Sequence, residues 1–228
     1  MLAVILAGVK GTRISEYTKS IPKPMIKIGN KPIIEHIINI YFRYGVKKII
    51  IAAGYKFKII KSHFKKNKKV IVVNTGLNSL TGLRIKKLSK IIGNKKFFLT
   101  YGDGLSNINI KKLLQAHNKS KKIATMTIVH PPARFGEVVY KKNLITSFEE
   151  KPQLQKGWIN GGFFVFEPSF LKILNKKNVM LEREPIKKLV KKKQLNAYIH
   201  RSFWFCMDNL RDKQVLEKLN KSKKKYWK

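Results

Sequence analysis

Five short apolar runs, at residues 2–6, 46–53, 70–73, 97–101 and 124–129, are each closed by turn residues and separated by longer segments. Runs this short and this continuously apolar read as strands buried on both faces. Between the first two, residues 31–44 put Ile33, Ile34, Ile37, Ile38, Tyr41 and Phe42 on one side of an amphipathic helix that stops at Gly45. Residues 55–64 and 108–118 repeat the helical spacing. Strands alternating with helices predict an α/β fold built on a doubly wound parallel sheet covered on both faces. After Pro131 the pattern changes, with strand-like runs at 137–140, 145–149 and 158–166, then a helix at 168–175. A helix opening at Pro185, a strand at 197–200 and a last helix at 209–220 complete the chain. With no linker and no repeat, residues 1–228 read as one unit with a larger first half (1–130) and a smaller mixed second half (131–228). The basic tail 221–228 is expected to fray.

The first strand runs into a loop holding Gly8, Lys10, Gly11, Thr12 and Arg13, and Lys23 follows between Pro22 and Pro24. Glycines let backbone N–H groups approach phosphate oxygens, Thr12 can donate, and Arg13 and Lys23 neutralise charge. The loop lacks the Gly-Lys-Ser/Thr ending of the ATPase type. A glycine pair after a strand is equally compatible with a plain turn, and Pro-Lys-Pro is what tilts the reading toward phosphate.

The formal charge of +38 invites a nucleic-acid reading. Only seven of the 50 basic residues are arginine, however, and the lysines are spread over nearly every expected helix and loop. Nucleic-acid surfaces lean on arginine for bidentate contacts, so specific nucleic-acid binding is not expected, only salt-sensitive attraction to polyanions. No apolar stretch is long enough to span a bilayer, and the N-terminus lacks the pattern of a secretory signal. The single cysteine, Cys206, excludes an internal disulfide framework. A cytoplasmic protein without a membrane partner is the expectation.

There are three aspartates, Asp103, Asp208 and Asp212. Asp103 lies between two glycines at the carboxyl end of a predicted central strand, the edge where open α/β sheets bind ligands. A carboxylate there can hold Mg²⁺ against phosphate, although Asp-Gly is also a turn dipeptide. Asp208 follows the apolar run Phe203–Met207, where it needs a cation unless it caps the last helix. Asp212 falls in that helix's first turn and suits the dipole.

These motifs together resemble the sugar-phosphate nucleotidyltransferases, and within them the glucose-1-phosphate cytidylyltransferases. The resemblance rests on LAG-x-x-GTR-x-SE, PKPM, GYK, TG…TG-x-R, TYGDG, PP-x-RFG, EKP, WINGGFFV, ERE-P and FW-x-x-MD-x-LRD, in that order from Leu2 to the C-terminus. It implies a Rossmann-like fold with a sugar-binding second half, and transfer of a cytidylyl group from CTP to glucose 1-phosphate, an early step toward the deoxysugars of bacterial surface polysaccharide such as O-antigen. It implies that Leu6, Ala7, Gly8, Val9, Lys10, Gly11, Thr12 and Arg13 hold the nucleotide, with Lys23 near the α-phosphate and Thr81, Lys86 and Gly102 as further contacts. Asp103 and Asp208 would hold Mg²⁺, Lys151 the sugar phosphate, and Glu150, Asn160 and Gly161 the sugar hydroxyls. It also implies a homo-oligomer.

The chain departs from the family pattern at Val9 and Leu83, where glycine is usual, and at Asn74, where aspartate is usual. Its segment between Gly54-Tyr55-Lys56 and Thr75 is shorter. Asn74 and Leu83 bear on base choice, Val9 on the loop, and the shortening on assembly. The same chemistry with UTP, dTTP or another hexose phosphate is an alternative, as are a silent nucleotide binder and a polyanion-binding protein.

Overall fold

A computed structural model describes residues 1–131, 137–141, 143–149, 157–174, 177–224 and 226–227. Glu150, Lys151 and the rest of EKP, residues 132–136 of the PP-x-RFG motif, and the expected helix end at Asn175 lie outside the described residues.

The chain opens with β1 (Leu2–Ala7), every residue of which is buried. A turn of α1 (Ser15–Thr18) and a small ladder of β2 (Lys27–Ile28) with β3 (Lys31–Pro32) lead into α2 (Ile33–Arg43). Then follow β4 (Lys48–Ala53), α3 (Phe57–His63) and β5 (Val70–Asn74). Two helices the sequence pattern did not reveal come next, α4 (Thr81–Lys87) and α5 (Ser89–Ile92). The order continues with β6 (Phe97–Tyr101), β7 (Gly104–Ser106), α6 (Ile110–Ser120) and β8 (Ala124–Val129). The second half supplies the hairpin β9 (Glu137–Lys141) and β10 (Leu144–Glu149), then β11 (Ile159–Phe166), α7 (Phe170–Ile173) and α8 (Glu184–Lys191). It ends with β12 (Leu195–His200), β13 (Trp204–Cys206) and α9 (Leu210–Lys221).

Among the described residues the main sheet has seven strands in the order β12-β8-β11-β6-β1-β4-β5. Strand alternation divides its core in two. Ala3, Ile5 and Ala7 face a layer with Ile33, Ile37 and Tyr41 of α2 and Leu216 of α9. Leu2, Val4 and Leu6 face the other, with Ile85, Leu88, Phe170 and Leu189. This is the double cover that the continuous apolar runs demanded.

β11 departs from the parallel expectation, pairing antiparallel with both β6 and β8. The chain leaves the sheet at the carboxyl end of β8 and returns at the same edge, where Ile159 pairs with Val129, so β11 must run back. The sheet is therefore mixed but mostly parallel, and Asn160 and Gly161 arrive at its carboxyl edge. Gly162, with φ of 76°, lies within an irregularity of this pairing between Asn160 and Phe164.

The expectation of a frayed tail is corrected. Trp227 is 2% exposed, stacks on Phe203 and meets His36 edge-on. Its indole N–H donates to His36 Nδ1 at 3.2 Å, and its carbonyl accepts from Arg43 at 3.3 Å. An indole that can be buried with its one donor satisfied outweighs the solvation preference of the lysines around it.

Candidate active site

The carboxyl edge of β1 opens a cleft of about 350 Å³ beside the glycine loop. At Gly8 a Cβ would overlap the Arg84 guanidinium, so any side chain there would have to displace it. That buried guanidinium donates to the carbonyls of Gly8 (2.9 Å) and Gly76 (2.7 Å) and to the Thr75 hydroxyl (2.7 Å). One α4 side chain thus ties the ends of β1 and β5 together. Gly11 takes the left-handed conformation, with φ of 68°. Val9 does not, so its β-branched side chain carries no such strain and stands exposed at the cleft wall.

Asp103 and Asp208 are brought together by a three-residue ladder. β13 pairs antiparallel with β7, matching Cys206 with Gly104, and Met207 N donates to the Asp103 carbonyl at 2.9 Å. The N-cap of α9 is Asn209, not Asp208, and Asp212 closes the capping box. The Asp212 carboxylate also accepts from the Asp208 backbone N–H at 2.8 Å. Relieved of capping, the Asp208 side chain faces the cleft.

Between the two carboxylates lies the Lys23 ammonium, 2.6 Å from Asp103 Oδ2 and 3.1 Å from Asp208 Oδ1. Burial works to lower the Lys23 pKa, but the neighbouring Asp103 charge and hydrogen bond, with Asp208, raise it overall. Lys23 is therefore a fixed cation. Arg13 reaches Asp208 Oδ2 at 3.0 Å from an exposed position.

Asp103, Cys206 and Asp208 each offer a ligand atom within 4.8 Å of the others. Burial, and then the two aspartate charges, push the Cys206 thiol well above its ordinary range. Two carboxylates suit a hard, oxygen-seeking divalent ion such as Mg²⁺, whose entry between them would displace the Lys23 ammonium that pairs with both.

On the opposite wall, Thr81, at the start of α4, donates to Glu182 Oε2 at 2.8 Å, and Tyr101 donates to Glu182 Oε1 at 2.5 Å. Asn160 donates to the Tyr101 oxygen at 3.3 Å and accepts from Gly162 N at 2.8 Å. Trp204 donates to the Gly161 carbonyl at 2.7 Å, locking β13 to β11. At Asn74 the amide oxygen accepts from Gly76 N at 3.0 Å, a turn contact that needs only an acceptor and not a charge.

Of the residues singled out from sequence, Leu6, Gly8, Val9, Lys23, Thr81, Gly102, Asp103, Asn160, Gly161 and Asp208 line the cleft. Ala7 is buried in β1, while Lys10 and Thr12 are exposed beyond the lining. Lys86 is directed elsewhere, donating to the Leu171 carbonyl at 2.9 Å. Sequence reasoning gave no role to Arg84, Tyr101, Glu182 or Trp204. Arg84 carried a usable signal, as an arginine kept within a helix otherwise rich in lysine.

A nucleotide-sized cleft at the carboxyl edge of such a sheet, with glycine loop, lysine and paired aspartates, defines a phosphate-handling α/β protein. Residues 2–228 match the nucleotidyl transferase family, and the chain belongs to it. Within that family it is 39% identical over 254 aligned positions to glucose-1-phosphate cytidylyltransferase of Salmonella typhimurium, covering 100% of this chain and 99% of the relative. The alignment is longer than the chain, so the relative has segments without a counterpart here. The D-glycero-alpha-D-manno-heptose 1-phosphate guanylyltransferase of Campylobacter jejuni is 36% identical over 72% of this chain and 75% of its own. The crystal structure of HddC from Yersinia pseudotuberculosis superposes with a TM-score of 0.76 at 23% identity, over 96% of this chain and 99% of that one.

Proposed function

We propose that this chain transfers a cytidylyl group from CTP to glucose 1-phosphate, giving CDP-glucose and pyrophosphate. The observation that carries the reading is the Lys23 ammonium held against both Asp103 and Asp208 at the foot of the glycine loop. Full-length similarity to glucose-1-phosphate cytidylyltransferase supports the choice of substrates.

In this reading an oxygen of the sugar phosphate attacks the α-phosphorus of CTP, the bond from that phosphorus to the bridging oxygen breaks, and pyrophosphate leaves. The nucleophile is already largely ionised near neutral pH, so no general base is required. The work of the protein is alignment and charge. The segment from Leu6 to Arg13 holds the nucleotide, with backbone N–H groups of the glycine loop cradling the triphosphate, Arg13 meeting its outer phosphates and Lys23 neutralising charge at the α-phosphate. Thr81 and Gly102 face the nucleotide, while Asn160 and Gly161 face the sugar; from the sequence resemblance, Lys151 takes the sugar phosphate and Glu150 a sugar hydroxyl. Asp103 and Asp208 would hold Mg²⁺, which supplies Lewis-acid charge to phosphate oxygens when bound. The reading implies a cytosolic homo-oligomer supplying activated sugar for surface-polysaccharide synthesis.

Pyrophosphate release from glucose 1-phosphate, followed separately with CTP, UTP and dTTP in Mg²⁺, tests it. Turnover should be at least about tenfold faster with CTP, one factor of ten being roughly 1.4 kcal/mol of discrimination. Equal rates with UTP would overturn the base assignment, and no release with any nucleotide would overturn the activity.

A further inference from the structure

Glu182 does not line the cleft, yet it is bonded to Thr81 on the nucleotide side and, through Tyr101, linked to Asn160 on the sugar side. Its Oε2 accepts from Thr81, on the nucleotide side, and its Oε1 accepts from Tyr101, which in turn accepts from Asn160 on the sugar side. Leu181 N donates to the Thr81 hydroxyl at 2.7 Å, so the bridge is pinned by its own backbone. Each carboxylate oxygen is thus engaged by a hydroxyl that lines the cleft. We infer that Glu182 is a positioning residue that couples the two substrate subsites, an inference that rests on the cytidylyltransferase reading above.

The polarity of the chain gives the mechanism. An ionised carboxylate can only accept, so it forces both hydroxyls to point their protons at it. The lone pairs of Tyr101 are then turned toward Asn160. With its Oδ1 on Gly162 N and one N–H on Tyr101, Asn160 is held in one orientation, with its second N–H remaining for a ligand. A nucleotide that bonds the Thr81 hydroxyl changes how strongly that hydroxyl donates to Glu182, and the carboxylate passes the change through Tyr101 to Asn160, so that the second ligand binds more tightly once the first is in place.

Glu182→Gln keeps the shape but presents an N–H₂ donor to one of the two hydroxyls. If that is Tyr101, its oxygen must accept from both Gln and Asn160, and its own proton loses its partner. Tyr101→Phe cuts the link on the sugar side while leaving Thr81 and Glu182 in place.

The test is calorimetric titration of glucose 1-phosphate in Mg²⁺, with and without a saturating non-hydrolysable α,β-methylene CTP. The intact protein should bind the sugar phosphate about tenfold more tightly with the nucleotide present, in the usual range for coupled sites. In Glu182→Gln and in Tyr101→Phe that ratio should fall to within about twofold of one. In Tyr101→Phe the affinity for the CTP analogue should also stay within about twofold of the intact protein. Wild-type coupling in both variants, or an intact protein that binds both ligands without coupling, would overturn the inference. Failure of the intact protein to bind either ligand would instead overturn the cytidylyltransferase reading, and this inference with it.

Discussion

At the scale of single residues, the arrangement around Lys23 carries the strongest consequence. Asp103→Asn is isosteric, and Lys23 keeps Asp208 at 3.1 Å, so the fold should survive. The substitution removes one of two oxygen-rich donors for the divalent ion and half of the charge that fixes Lys23. The expected loss in kcat is about 10²–10³-fold, the size typical of a missing electrostatic contact in a transition state. Full activity with an unchanged melting curve would refute the metal assignment. Val9 makes the opposite case. Sequence comparison marked it as a departure from a glycine pattern, but the left-handed position of the loop is Gly11. Val9→Gly should therefore leave CTP affinity within about twofold, since no backbone strain exists there to be relieved. A gain of tenfold would show that the loop is held in a different turn when nucleotide binds.

At the scale of elements, the short ladder of β7 and β13 does what neither helix nor main sheet could do. It sets Asp103 beside Asp208, and the capping box of α9 holds the second of these by its backbone. The C-terminal tail braces the same element, since Trp227 stacks on Phe203 at the entry to β13. Trp227→Ala should cost about 3 kcal/mol or more through the cavity it leaves, lowering Tm by roughly 6–12 °C. It should also weaken Mg²⁺-dependent turnover, because β13 would lose its support from behind. A melting temperature within 2 °C or so of the parent would mean that the tail is merely lying on the surface. The basic composition of the tail pointed the other way here. Lysine-rich composition marks a solvated segment, and two large aromatic residues inside one are a tertiary signal.

At the scale of the whole molecule, charge and pH act together. His117 is enclosed by α6, β8 and the chain after β11, with Thr125 Oγ1 at 2.9 Å and Glu167 Oε1 at 3.1 Å from its two ring nitrogens. Lys96 also pairs with Glu167, at 2.8 Å. Burial holds the pKa of His117 below the ordinary 6.5, with the Lys96 charge lowering it further against the pull of Glu167. His200 is lowered in the same sense by its burial. A base whose folded pKa is depressed contributes its stability in full above the unfolded value and loses it as pH falls through the folded value. Stability should therefore decline from about pH 6.5 downward. Each added proton also raises a net charge that is already +38. Glu167, itself lowered, adds its own loss below its unfolded value of 4.5. Thermal melts between pH 7.5 and 5, at fixed salt, should show Tm level down to about pH 6.5 and falling below it, and a flat profile throughout would exclude this coupling.

The buried strands, their order of appearance, the helix at α2 and the glycine loop that ends the first strand were legible in the residues themselves. Continuous apolar runs can be satisfied only inside a sheet covered on both faces, and a glycine loop after such a run admits few partners. The motif order from Leu2 to the C-terminus carried the family. The antiparallel course of β11 depended on where the chain re-enters the sheet, which no local pattern encodes. Arg84 against Gly8, the meeting of Asp103 with Asp208, and the bridge from Thr81 through Glu182 to Asn160 all join residues distant along the chain. Each is a matter of side-chain geometry across separate elements, and such contacts exist only once the sheet has closed and its carboxyl edge has been assembled.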